Sequence, residues 1–302
     1  MNLILPPQFQ AQVKLIAFIC VELFDMKIFR HTEDRLPVLI FTLYFLADFV
    51  FYLTIDNIYL LMLWFAVGIF PKANICAWNH HHQHYKTFKK SFYNWILEIV
   101  YSFHTGITSN MWVLHHNFGH HLNYLDQEKD ESRWKDKKGN KFSAIHYTVN
   151  VAFTSYWRAF RVGKKHLQIR KTFIIMLVLT CFFLAILIYF RPLQALFIFI
   201  LPMITALLLT SYATYNHHSD LDVDEHLHAS RNIESKWYNK LTGNLGYHTA
   251  HHMRFGLHWS KLPKIHKQIR AKIPEECIIP PTYIFRLFDQ IDDWFKRRKL
   301  TV

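Results

Sequence analysis

The sequence predicts an all-α integral membrane protein, with four transmembrane helices in two hairpins and a cytoplasmic helical cap rich in histidine. Three observations carry this prediction. Four apolar runs are each long enough to cross a bilayer, nearly all the basic residues fall on one side of them, and histidine collects in short clusters just beyond them. Averages over the chain hide the division: 51% of the 302 residues are hydrophobic, yet mean hydropathy is only +0.03. Very apolar segments are offset by a polar part, and the 21 histidines supply much of the offset.

A spanning helix needs roughly 20 mainly apolar residues. Residues 36–54 form the first run, with Asp48 as its only charge, and residues 58–78 the second, with Lys72. Residues 172–190 and 192–215 contain no Asp, Glu, Lys or Arg. The first pair is separated by Ile55, Asp56 and Asn57, and the second by Arg191 alone, so each pair reads as a tight antiparallel hairpin. A charge in mid-span is costly and often functional; for Asp48 the alternative is a polar partner on a neighbouring helix.

Orientation follows from the basic residues. Of 35 Lys and Arg, only Arg191 falls on the side of the short turns. The other 34 lie opposite, which makes that side cytoplasmic and puts both termini inside. Residues 79–171 and 216–302 then form the cap, and the chain reads as a single domain over 1–302. The net charge of +13 is accounted for by anionic headgroups rather than by nucleic acid. The N-terminus lacks a basic stretch and a small-residue cleavage site, so no signal peptide is read.

Further segments look interfacial. Near the C-terminus Ile284, Leu287, Phe288, Ile291 and Phe295 recur at helical spacing, with Arg286, Asp289, Asp292, Asp293 and Lys296 on the other face. Such a helix suits a membrane surface or the protein's own surface. Residues 13–29 are apolar but broken by Glu22, Asp25 and Lys27, which favours the interface over a span. Residues 92–114 carry Glu98, His104, Thr105, Ser109 and Asn110, and either dip into the interface or cover a cavity.

Several chemistries are excluded by inspection. The four cysteines are far apart with no CxxC pair, against a disulfide scaffold, a zinc ribbon and a Cys-ligated iron–sulfur cluster. No GxG occurs among the eight glycines, against a Rossmann or P-loop nucleotide site.

The histidines lie in four clusters: His80 to His82 with His84, His115-His116 with His120-His121, His217-His218, and His248 with His251-His252. On an α-helix residues i, i+3 and i+4 share a face. His80 and His84 are so related, as are His116 and His120 with His121 beside them, and His248 with His251 and His252. Each group can aim two or three imidazoles at one point, and all emerge from one end of a small bundle. Lone histidines are mostly ordinary, and His31, His146, His166, His266 and provisionally His104 and His258 are read so. Burying eight or more imidazoles together without a metal would leave many polar groups unpaired. His80, His84, His116, His120, His121, His248, His251 and His252, with His217 or His218 or both, exceed the four ligands of a zinc site. Imidazole suits iron, and the count suits two ions with open positions, so two irons fit best.

The order HHHQH, HHNFGHH, HTAHH around two apolar hairpins resembles the membrane fatty acid desaturase/hydroxylase superfamily, with its three histidine boxes. Residues 246–252 and 256–260 look especially like bacterial fatty acid desaturases. The resemblance covers roughly residues 36–270. It implies a non-haem di-iron enzyme of the membrane, in a bacterium the inner membrane, that uses O₂ and two external electrons to attack an unactivated C–H bond of a lipid chain. It makes the eight box histidines ligands and adds one just after the fourth span, filled by His217 or His218. An assisting Asn found in some members four residues earlier is replaced here by Ala213 or Thr214; Asn216 is the nearest substitute. His81, His82 and His115 are spare. Carboxylates that could orient the imidazoles are Asp126, Asp130, Glu131, Asp220, Asp222, Asp224 and Glu225.

The substrate implied is an acyl chain, carried as acyl-CoA, acyl-ACP or phospholipid. With no flavin, nicotinamide or haem motif in the chain, a separate ferredoxin, rubredoxin or cytochrome b5 with its reductase must supply electrons. Two other readings compete. One is hydroxylation of a fatty acid, alkane or carotenoid on the same scaffold. The other is a non-enzymatic metal-binding membrane protein; against it, transporter ligands usually sit at mid-bilayer.

Overall fold

The computed structural model describes residues 27–221 and 225–299. The interfacial segment read at 13–29 lies outside them but for its last residues, as do Asp222 and Asp224. Among the described residues the regular elements are helices, joined by turns and a few isolated bridges.

Helix α1 is Arg35–Thr54 and α2 is Ile58–His84. Asn57 caps α2, its side chain accepting the N–H groups of Tyr59 and Leu60 at 2.9 and 3.2 Å. Helix α3, Ser91–Thr105, ends at Gly106, whose φ of 67° is the left-handed cap. Glycine is required there twice over, because a Cβ would stand 2.6 Å from the Met203 carbonyl oxygen. A π-helical stretch, Val113–His121, follows. Helix α4 is Ala144–Val162 and α5 is Leu167–Phe190. Helix α6 runs continuously over Pro192–His218, with a π-helical turn at Leu196–Ile200. Three short helices, α7 (Lys236–Thr242), α8 (His248–Met253) and α9 (Leu262–Ile269), precede the amphipathic α10, Tyr283–Lys299.

Four helices are long and apolar enough to cross a membrane: Thr32–Thr54, Ile58–His84, Leu167–Phe190 and Pro192–His218. Their outward faces are apolar side chains such as Leu36, Val50, Leu63, Val67, Val178 and Phe182. The second and fourth run on past the apolar stretches at 58–78 and 192–215, so His80, His84, His217 and His218 ride on the last turns of the same rods.

The short connections lie together. Arg191 donates to the Tyr52 carbonyl and pairs with Asp56, and Gln194 donates to the Ile55 carbonyl at 3.1 Å. Above them Tyr52, Leu61, Phe103, Leu187, Ile198 and Phe199 form a shared core. Asp48 does pair with a neighbouring helix: its carboxylate accepts from Lys72 Nζ at 2.7 Å and from Trp64 Nε1 at 2.9 Å. Lys72 also donates to the Ile198 carbonyl, at 3.3 Å, inside the π-helical turn of α6. One buried ion pair thereby joins α1, α2 and α6 and leaves neither charge unpaired.

Candidate metal centre

Four pieces of backbone deliver the clustered histidines. The last turns of α2 carry His80 and His84, the π-helical stretch His116, His120 and His121, the end of α6 His217 and His218, and α8 His248, His251 and His252. Helix α8 is only six residues long and is fixed by buried polar contacts. The Asn232 side chain accepts the Thr249 N–H at 3.0 Å and donates to its hydroxyl at 2.8 Å, and Ser230 bonds the same hydroxyl at 2.9 Å.

The imidazoles divide into two adjoining groups. One ligand nitrogen each from His80, His84, His116, His121 and His251 lies within 4.8 Å of all the others, and the same holds for His120, His218 and His252. His248 belongs with the second group, its Nε2 being 3.0 Å from that of His218 and 3.2 Å from that of His252. The groups touch where the rings of His121 and His252 stand 4.2 Å apart.

This division differs from the expectation that each box aims at one point. The second box is π-helical, so the residues that stack are five apart rather than four. His116 and His121 meet at 2.9 Å between Nε2 atoms, and His120 turns to the other group. The third box divides as well: His251 approaches His80 at 2.8 Å, while His248 and His252 face His218. His217 is not drawn into either group. Its Nδ1 is bonded to the Arg231 carbonyl at 2.8 Å and its ring stacks on His248 at 4.1 Å.

The hydrogen bonds of the outer nitrogens fix the inner ones. His218 Nδ1 lies 2.9 Å from the Ala229 carbonyl, which can only accept, so the proton sits on Nδ1 and Nε2 keeps its lone pair. His120 Nδ1 likewise donates to both oxygens of Asp130, at 2.9 and 3.0 Å, and Asp130 is itself held by the Ser132 N–H at 2.7 Å. With both rings neutral, the two Nε2 lone pairs face each other across 3.3 Å. A cation between them resolves the conflict. In the other group His251 Nε2 stands within 2.8 and 3.1 Å of two imidazole nitrogens, and both ring nitrogens of half-buried His84, themselves shielded from solvent, lack a partner among the described residues. The donor set therefore fits metal ions. Burial, and then the neighbouring imidazoles, hold His116, His121, His248, His251 and His252 well below the usual imidazole pKa, in the neutral form that ligates.

The remaining candidates point elsewhere. His81 bonds the Thr242 carbonyl at 3.1 Å, and His82 bonds Thr87 at 2.9 Å and Glu98 at 3.2 Å. Burial raises the pKa of Glu98, but its bond to His82 and the charge of Lys86 outweigh that and leave it at about 2. His115 is buried, with no partner for Nε2 among the described residues. His104 bonds the Phe41 carbonyl and His258 pairs with Asp34, both at 3.1 Å. Of the acids, Asp126, Glu131 and Asp220 pair with Lys129, Arg161 and Lys141, and Glu225 lies 3.8 Å from His228. Asp130 alone among the described candidates holds a clustered histidine.

A cavity of about 370 Å³ reaches the centre from one side. His80, His116, His217, His248 and Trp112 lie at one end, and Ile69, Phe70 and Ala73 of α2 line it away from them. Asn216 faces it too. The sequence reading did not identify these walls, because α6, α7 and α10 supply them from positions far apart in the chain.

The sequence model for fatty acid desaturases matches residues 56–280, which includes every clustered histidine. The chain belongs to the fatty acid desaturase family. No curated protein and no solved structure matches the chain. Membership of the desaturase family, with its metal-dependent oxidoreductases, agrees with the paired histidine groups. With four apolar helices, this desaturase family member is an integral membrane protein.

Proposed function

We propose that this protein is an O₂-dependent fatty acyl desaturase, which introduces a double bond into a lipid acyl chain at a histidine-ligated di-iron centre. The observation that carries the reading is the meeting of two buried imidazole groups with the end of an apolar cavity. His80, His84, His116, His121 and His251 hold one iron, and His120, His218, His248 and His252 the other. Of the two alternatives after the fourth span we take His218, whose Nε2 lies 3.3 Å from that of His120 and 3.0 Å from that of His248, whereas His217 falls in neither group. Two irons supply the power to activate O₂ and remove hydrogen from an unactivated carbon.

The chain's own residues do the rest. Asp130 and the Ala229 carbonyl hold His120 and His218 in the ligating tautomer. The cavity walls place a methylene chain beside both groups and exclude water from it. Among the described residues no cysteine belongs to either histidine group, and Cys76 lies on the wall of the cavity that reaches them.

The arrangement in the membrane follows the same reading. The two pairs of long helices are hairpins, the histidine cap faces the cytoplasm with both termini, and 34 of the 35 basic residues mark that side. In a bacterium the membrane is the inner one. A separate ferredoxin, rubredoxin or cytochrome b5 with its reductase provides the electrons.

Expression in a heterologous host followed by mass spectrometry of the acyl chains tests the proposal. New double bonds are expected. Hydroxylated chains would assign the protein to the hydroxylase branch, and unchanged lipids with an active electron donor present would overturn the enzyme reading.

A further inference from the structure

Away from the histidine centre, helix α4 carries an exposed apolar face. Ile145, Val149, Phe153 and Trp157 recur every four residues, so they form one stripe, and they are 80, 46, 68 and 65% exposed. The opposite side of the helix, with Tyr147, Val151, Ala152, Ser155 and Ala159, is buried. Two contacts set the level of the stripe. Tyr147 packs on Tyr215, where the apolar run of α6 ends, with ring centroids 5.0 Å apart. Tyr156 packs on Phe173, two residues past the last basic residue before the apolar run of α5, at 6.0 Å. On the membrane reading given above, that is the depth of phospholipid headgroups. An exposed apolar stripe at this level marks an interaction surface.

Beside the stripe lies a cavity of about 160 Å³, lined by Arg133, Phe142, Tyr147, Asn150, Val151 and Arg158. Its free polar groups are donors. Arg158 donates to the Thr154 hydroxyl at 2.7 Å, to the Glu131 carbonyl, and to Asn150 Oδ1 at 2.5 Å. One N–H is then left on each of its terminal nitrogens. The bond to Asn150 Oδ1 leaves the amide nitrogen of that residue as a donor. Tyr147 gives its O–H to the Ser132 carbonyl at 2.9 Å and contributes its ring to the wall. Arg133 is half-buried, and its guanidinium has no hydrogen-bond or ion-pair partner among the described residues. The nearest acids are engaged elsewhere, Glu131 with Arg161 and Asp130 with His120. Two guanidiniums and an amide around a cavity with no carboxylate in its lining suit a phosphate, which arginine bonds through two N–H groups at once. This cavity shares no lining residue with the one that reaches the histidine centre.

We propose that the cavity binds the phosphate of an anionic phospholipid from the leaflet at the histidine-bearing ends of the spans, held as a resident lipid and not as substrate, with its acyl chains along Val149, Phe153 and Trp157. The apolar stripe beside the donors favours a lipid over free phosphate, and over an acidic protein surface, which would give those side chains no apolar partner. The site also bears on the metal centre. Arg133 and Arg158 hold the turn that presents Asp130: the Arg133 N–H donates to the Asp130 carbonyl at 3.2 Å, and Arg158 donates to the Glu131 carbonyl. A phosphate joining the two guanidiniums clamps that turn, and with it the carboxylate that orients His120. The proposal does not depend on the reaction proposed above.

Native mass spectrometry of the full-length protein in detergent, titrated with phosphatidylglycerol, phosphatidylcholine or inorganic phosphate, tests it. One phosphatidylglycerol should bind per chain, severalfold more tightly than phosphatidylcholine, and should raise the thermal unfolding midpoint. Arg133→Gln should weaken that binding about tenfold and abolish the rise, and Arg133→Lys should restore part of both. Lys137→Gln, which removes an exposed cation outside the cavity, should change neither. Trp157→Ser should weaken phosphatidylglycerol binding severalfold. An unchanged midpoint of each variant without lipid reports an intact fold. Equal losses from Arg133→Gln and Lys137→Gln would reduce the effect to general charge and overturn the site. Inorganic phosphate binding as tightly as phosphatidylglycerol, with no effect of Trp157→Ser, would overturn the lipid. Absence of phosphatidylglycerol binding to the unmodified protein overturns the whole proposal.

Discussion

At the scale of single residues, the centre depends on which nitrogen of each imidazole carries the proton. Asp130 fixes His120 and the Ala229 carbonyl fixes His218, so two lone pairs are aimed into the same space. Removing an outer partner of a ligating histidine typically lowers metal affinity about 10–100-fold. Asp130→Ala should therefore weaken metal binding at the His120 group by that factor and leave the His80 group loaded, as read by metal titration of the purified variant. His120→Ala and His251→Ala remove a nitrogen from each group. Each should abolish turnover with membrane insertion intact, and retained activity in either would remove that residue from the ligand set. The histidines themselves are legible in the sequence because they are clustered. Asp130 is not singled out there, since six other acids flank the boxes. It is ten residues beyond His120, and only the turn that brings it back, held by the Ser132 N–H, distinguishes it from Asp126, which faces Lys129.

At the scale of elements, the second histidine box shows where sequence spacing stops being informative. His116, His120 and His121 satisfy helical spacing in either an α- or a π-helix, and the hydrophobic pattern around them is too short to separate the two. Only the π-helical stretch sends His120 and His121 to different groups. The four long helices were legible throughout from their apolar runs, and the pairing of Asp48 with a neighbour was one of two alternatives the sequence left open. That pair now carries a prediction. Breaking a buried ion pair on one side costs about 3–5 kcal/mol, so Asp48→Asn should lower the thermal unfolding midpoint in detergent clearly, with histidine geometry unaffected in any surviving folded protein. Glu98 on α3 supports the first box from behind through His82 and Lys86. Its carboxyl is held at about 2, below the ordinary 4.5, so the charged form is stabilised in the folded state. That stability, on the order of 3 kcal/mol, is fully present above pH 4.5 and is lost as pH falls toward 2. Glu98→Gln should thus be destabilised by a constant amount between pH 8 and pH 5, with the gap to the unmodified protein closing below about 4.5 as that carboxylate protonates. Denaturant unfolding across this range reads it directly.

At the scale of the whole molecule, the division visible in the composition becomes a division of labour. Four apolar helices are long enough to cross a bilayer, and two of them end in histidines that meet those of the π-helical stretch and α8. The fold class could be read from run length and the placement of basic residues because bilayer thickness imposes a length on each span. An apolar tunnel beneath the histidines could be expected from the spans and their aromatics, but its walls could not be named, since they come from α2, α6, α7 and α10 and carry no local pattern of their own. The amphipathic C-terminal helix resolves in the same way: Phe285 and Phe288 pack on Phe70 and Trp237, while Ile284, Leu287 and Ile291 remain outward. Of the two placements that its sequence allowed, on the protein and at the membrane, the structure shows the first.

The central claim is that two adjoining groups of imidazoles bind iron for oxidation of an acyl chain. The metal content per chain of protein purified from iron-replete cells tests it most directly. The account predicts about two irons per chain, from five and four histidine ligands. Zinc alone, with no O₂ consumed when the protein is supplied with reductant, would contradict it.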